Sequence, residues 1–161
     1  MKKRRELLIE QNDEVYFRIE KFVEEVTDEY LLHDTYFGNI LIALTEAVQN
    51  AIIHGNKADA SKKVLVTLEQ KKEGLWIAVA DQGDGFDFDK AMAAESLFEV
   101  TEKQGLALIR RIADEVRFKH HGRVIEMLFR IYGIDENIFD RRQDLMREFM
   151  RKIQHQELDR N

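Results

Sequence analysis

The chain contains no cysteine and no proline. Without cysteine there is no disulfide framework, no thiolate nucleophile and no zinc site built on sulfur. Long hydrophobic runs are missing too, since no stretch approaches the roughly 18 consecutive apolar residues of a membrane-spanning helix. The basic start Lys2-Lys3-Arg4-Arg5 leads only into Leu7-Leu8-Ile9, which is too short for the apolar core of a signal peptide. A cytoplasmic protein with no membrane partner is expected. Positive charge is in deficit, with 25 Lys and Arg against 31 Asp and Glu, a net charge of −6 and a pI near 5.4. That balance argues against broad nucleic-acid binding. The absence of proline excludes no function.

What remains is sufficient for one folded unit. The 161 residues are 44% hydrophobic, enough for a real core, and 35% charged with both signs interspersed. Residues 5–11 read as a short strand, and Asn12 or Asp13 offers a helix cap. Val15, Ile19, Phe22, Val23 and Val26 recur at helical spacing, which predicts a helix over 14–26. Asp34 and Thr35 are the next cap candidates, and a second helix is expected to run from there to about His54, where Gly55-Asn56 stops it. Alternation over 64–68 and the apolar run 75–80 predict a strand hairpin. A short helix is expected over 89–94 and a mobile loop over 95–104, before a helix opened by Gly105 with Leu106, Ile109, Ile112 and Ala113 inside. Residues 115–119 and 124–131 flank His121-Gly122 as a last hairpin, and a final helix follows Gly133. Strands and helices mix without regular alternation. The expected class is therefore α+β, a two-layer sandwich with a mostly antiparallel, mixed sheet covered on one face by helices.

The second helix organises the rest. Phe37, Ile40, Leu41, Leu44, Val48, Ala51 and Ile52 mark its core-facing stripe. Glu46 and Asn50, four residues apart, stack on a neighbouring face. A carboxylate and a carboxamide one turn apart can hold a hydrated Mg²⁺ or position a reacting hydroxyl, although alone such a pair is an ordinary solvated helix face. Asp81, closing the buried strand, is an acceptor for a donor such as the exocyclic amine of adenine. Gly83 and Gly85 after it allow close backbone approach and positive φ. Lys103-Gln104-Gly105 places a glycine at the expected helix start, where free N–H groups and the dipole favour phosphate.

In that order, E-x-x-x-N-A-x-x-H, D-x-G-x-G, a loop and a Gly-opened helix, the chain resembles the GHKL ATP-binding fold of gyrase, Hsp90, histidine kinases and MutL. Within it the chain looks most like the small anti-sigma-factor serine kinases of the RsbW and SpoIIAB type. The resemblance covers roughly residues 5–131 and is most specific at Glu46–His54 and Asp81–Phe88. Phe86-Asp87-Phe88-Asp89 and Asp114-Glu115-Val116 also fit the subgroup.

The resemblance implies a domain over 1–133, with 134–161 as a helical extension of the same unit. It implies ATP and Mg²⁺ as cofactors, with Asn50 holding the metal and Glu46 acting as general base. Asp81 would recognise adenine, with Gly83 and Gly85 shaping the base pocket. Lys103, Gln104, Gly105 and Leu106 would contact ATP at the end of a lid formed by residues 90–103, and His54 would be structural. The implied activity is ATP-dependent phosphorylation of a STAS-type anti-anti-sigma protein, with sequestration of a sigma factor or another regulator. A homodimer is expected, and the apolar stripe of Phe139, Met146, Phe149, Met150 and Ile153 could pack on the domain or pair with a second copy.

Two positions depart from the pattern. Lys103 stands where the first lid glycine would be, so either the lid closes less freely or Lys103 supplies a phosphate contact. No threonine occurs in 123–128, where the small kinases carry one near adenine, and Ile125 or a neighbour fills that place. These departures keep open a non-catalytic adapter that binds nucleotide weakly. A two-component histidine kinase would need a helix pair carrying a histidine ahead of the domain, and the region before His33 reads as one strand and one helix. The five histidines form no ligand set by spacing.

Overall fold

The computed structural model describes residues 4–11, 14–85 and 100–131, with the single helical position 147. Residues 1–130 and 131–161 form two compact units, and the elements below belong to the first. In chain order they are β1 (Arg4–Glu10), α1 (Val15–Tyr30), α2 (Asp34–Asn50), a π-helical turn (Ala51–Gly55), β2 (Lys63–Lys71), β3 (Gly74–Ala80), α3 (Val100–Ile112), β4 (Glu115–Lys119) and β5 (Val124–Phe129). The expected short helix over 89–94, the expected loop 95–104 as far as residue 99 and the helix after Gly133 lie outside the described residues. Residues 100–104, expected as the end of that loop and of the lid 90–103, are instead helical.

The five strands lie in the order β1-β2-β3-β5-β4, and every pairing is antiparallel. Directly opposed residues share a face, so the register fixes the two surfaces. One row runs Val66–Val79–Ile125–Phe118 and the next Leu68–Ile77–Met127–Val116. Val66, Leu68, Ile77 and Met127 in these rows are completely buried. The opposite face carries Glu6–Thr67–Ala78–Glu126–Arg117. Trp76 is buried on that face too, with the Arg117 guanidinium 4.4 Å from its ring centre and its indole N–H donating to Glu73 at 3.1 Å. The domain is α+β, as the sequence predicts.

The α1 stripe is the predicted one, extended by Thr27 and Tyr30. Each fully buried aliphatic side chain stabilises the fold by about 1.5–3 kcal/mol. Glu14 takes the N-cap position of α1, and the predicted caps Asn12 and Asp13 lie outside the described residues. The cap of α2 differs from expectation. His33 holds it, its Nδ1 accepting from the Thr35 N–H at 3.2 Å, and Asp34 sits in the first turn, where a negative charge suits the dipole.

Helix α2 packs against α1, α3 and β3. Ala43, Leu44 and Val48 are wholly buried in that packing. Among the described residues, Asp34–Gly55 is the one helical stretch long and apolar enough to cross a membrane, with a mean hydropathy of 1.2. Here its apolar side is the core of the domain.

Candidate functional site

The end of α2 builds the site. Its last turn widens from α to π, closed by the Asn56 N–H donating to the Ala51 carbonyl at 2.7 Å. Such turns are rare and frequently mark functional positions. This one delivers His54 and Gly55 to the loop that follows β3. The Gly55 backbone lies directly against the Asp81 carboxylate, and Gly83 lies against the Gly55 carbonyl, where a β-carbon would collide with it.

Asp81 leaves β3 with its N–H donating to the Arg123 carbonyl at 3.0 Å, while its Oδ1 accepts from the Gly83 N–H at 2.7 Å. Burial pushes its carboxyl above the ordinary range, and the Gly83 N–H and the charges of Arg123 and Lys62 pull in the opposite direction. Gly85 takes the expected positive φ, at 78°, whereas Gly83 does not. Both glycines serve close approach to protein backbone, Gly83 to Gly55 and Gly85 to the His121 carbonyl.

Two cavities meet at Asn50 and His54. The larger, of about 370 Å³, is bounded by Glu46, Gln49, Asn50, Ile53, His54, Gln104, Gly105 and Leu108. The smaller, of about 30 Å³, is bounded by Asp81 with Asn50, His54, Gly55, Leu106, Arg123 and Ile125 among others. Glu46, Asn50, Gln104 and Gly105 are therefore brought together around one space, and Asp81 and Leu106 around its neighbour. The side chain of Lys103 lies outside the described residues. Ile125 lines the smaller cavity with Asp81.

One expectation needs correcting. Gly105 does not open the helix: α3 begins at Val100, so Gly105 is an interior residue. Its N–H is past the four free donors of the first turn. A β-carbon on Gly105 would come within 2.7 Å of Glu46 Oε2 and 3.5 Å of Asn50 Nδ2. The glycine provides room for α3 to lie against the acidic face of α2, and the spacing of apolar residues could not separate that role from a helix start.

The residues fit ATP with Mg²⁺ at the larger cavity. Asn50 Nδ2 is buried with no hydrogen-bond partner among the described residues. A buried donor left so costs about 1–3 kcal/mol, which a ligand acceptor would recover. The Asn50 carbonyl is a hard oxygen donor of the kind Mg²⁺ accepts. The smaller cavity has room for roughly two or three waters at about 10–15 Å³ each, less than a purine fills. No cluster of three or more His, Cys, Asp or Glu able to hold a metal occurs among the described residues. His120 and His121 occupy a turn with φ of 51° and 57°, not a strand.

Asn56 and Gln82 went unmarked in the sequence beyond the stop signal after Gly55. Asn56 is 1% exposed and bonded on both ends of its amide.

A helix bearing a carboxylate and an orphan amide, packed beside a half-buried aspartate at a strand end, defines a histidine-kinase-like ATPase domain. The chain matches that family (HATPase_c_2) over residues 10–129 and belongs to it. It is 32% identical over 94 residues to the serine-protein kinase RsbW of Bacillus subtilis (strain 168), a match covering 53% of this chain and 59% of that protein. With the serine-protein kinase RsbW of Bacillus licheniformis it shares 36% identity over 87 residues, covering 49% and 54%. The chain thus spans little more than half the length of these relatives. The resemblance carried by Glu46–His54 and Asp81–Phe88 is borne out.

Proposed function

We propose that the chain is a cytoplasmic regulatory protein-serine kinase of the anti-sigma-factor type. It binds ATP with Mg²⁺, phosphorylates a STAS-like antagonist protein and sequesters a sigma factor or another regulator, as a homodimer. The observation that carries this reading is the Glu46 carboxylate and the orphan Asn50 amide lining the larger cavity, with Gly105 packed against both. The similarity to RsbW kinases supports the substrate class.

Each residue has a task. Asp81 accepts a hydrogen bond from the adenine amine, with Leu106 and Ile125 against the base. Asn50 would hold Mg²⁺ through its carbonyl oxygen, and the bound ion would supply positive charge to offset that of the phosphates. Gln104 and the α3 backbone near Gly105 face the phosphates, and Lys103 adds positive charge there. Glu46 takes the proton of the attacking serine hydroxyl as its oxygen bonds to the γ-phosphorus and the bond to the ADP oxygen breaks.

Titration of the purified chain with ADP and Mg²⁺ tests this first. Binding with a raised melting temperature is expected, followed by transfer from labelled ATP to a STAS-type protein. The small Asp81 cavity favours a second reading, a partner-switching adapter that does not use nucleotide. An absence of both binding and thermal shift would sink the kinase and leave the adapter.

A further inference from the structure

The register of β2 and β3 pairs Leu65 with Ala80 and, carried two residues further, would pair Lys63 with Gln82. That pairing does not form. Three side-chain bonds replace it in a closed ring. Asn56 Nδ2 donates to the Lys63 carbonyl at 3.0 Å, the Lys63 N–H donates to Gln82 Oε1 at 2.7 Å, and the Gln82 N–H donates to Asn56 Oδ1 at 2.7 Å. The Asn56 amide stands in for a peptide unit, so the chain leaves the sheet at Asp81 with its neighbouring backbone groups satisfied. Asn56 is also fixed from behind, since its own N–H closes the π turn and its carbonyl accepts from the Asp59 N–H at 3.0 Å. The ring thus clamps the residue after Asp81 to the end of α2, whose Gly55 backbone abuts the Asp81 carboxylate.

We propose that Asn56 is a positioning residue that aims the Asp81 carboxylate at the nucleobase. The proposal rests on the reading of Asp81 as the group that binds the adenine amine. Without the ring, Gln82 is free to rejoin the ladder against Lys63, and Asp81 turns with it. Asn56 would then govern base selectivity while touching no ligand.

The test compares ADP with inosine diphosphate, both with Mg²⁺, by calorimetry on the full chain. Inosine presents an acceptor where adenine presents the amine, so the ratio of affinities reports the Asp81 contact and cancels any general loss of binding. The wild type should prefer ADP, and Asp81→Asn should abolish or reverse the preference. Asn56→Ala should narrow it by about tenfold, the worth of one charge-assisted hydrogen bond, and exposed Gln82→Ala should narrow it in the same direction. A folded Asn56→Ala chain with the wild-type ratio overturns the proposal. If Asn56→Ala does not fold, Gln82→Ala decides, and an unchanged ratio there overturns it equally. A wild type without preference, or one whose preference Asp81→Asn leaves intact, refutes the reading of Asp81 itself and removes the contact Asn56 was to position.

Discussion

Gly105 of α3 stands against the Glu46 carboxylate of α2, so close that a methyl group on it would lie 2.7 Å from Glu46 Oε2. The clash is with the far end of a flexible side chain, and alanine is the better helix former by up to about 1 kcal/mol. Gly105→Ala should therefore keep or raise the melting temperature while displacing Glu46. A misplaced base of this kind costs on the order of 10²-fold in rate. Calorimetric melting and transfer from labelled ATP separate the two effects. A stabilised variant with full activity would show that Glu46 is not the base.

Glu46→Gln keeps the side-chain shape and removes the proton acceptor. Nucleotide affinity should stay within a few-fold of wild type, and phosphoryl transfer should fall by about 10²–10⁴-fold. Binding by calorimetry and single-turnover transfer check both halves, and normal transfer would exclude the role.

Asp81, read as the adenine contact, would make ADP binding depend on pH. Adenine needs the carboxylate, and burial holds the Asp81 pKa above its ordinary value of 3.8. ADP affinity should therefore begin to fall on acidification at a higher pH than an ordinary aspartate would set, and Asp81→Asn should flatten that limb. Stability has the opposite sign. A raised carboxyl pKa favours the protonated fold, so its contribution is present below the unfolded pKa and is lost as pH rises through the folded one. Asp81→Asn should consequently melt no lower than wild type at pH 7, as a pH series of thermal melts can verify.

Gly83 faces the Gly55 carbonyl with no space for a side chain. The obstacle is backbone and cannot swing aside. Gly83→Ala should cost about 1–3 kcal/mol, with the melting temperature lowered by roughly 2–4 °C per kcal/mol, and should weaken ADP binding in parallel. Urea melts and ADP titration measure the pair.

Much of this was legible in the sequence because periodicity reports burial. Val15, Ile19, Phe22, Val23 and Val26 are all buried, as are Ile40, Leu44 and Val48. The Glu46–Asn50 pair and the Asp81 turn were legible because their spacing is local. What was not legible depends on distant parts of the chain. Whether Gly105 starts a helix or makes room inside one is decided by Glu46, 59 positions earlier. Asn56 joins Lys63 and Gln82 through its side chain, and nothing in its neighbours distinguishes it from an ordinary helix stop. His33 as a cap was missed because Asp34 and Thr35 are stronger capping types, though the imidazole nitrogen accepts the same bond.

The wide turn at Ala51–Gly55 has one more implication. In an α-helix about 3.6 residues complete a turn, and a π turn takes about one more for nearly the same rotation. The Ala51–Gly55 turn therefore takes up one additional residue while the chain keeps its direction. Glu46 and Asn50 stay on the regular α-helical part of α2, and the added length is absorbed where Gly55 meets Gly83.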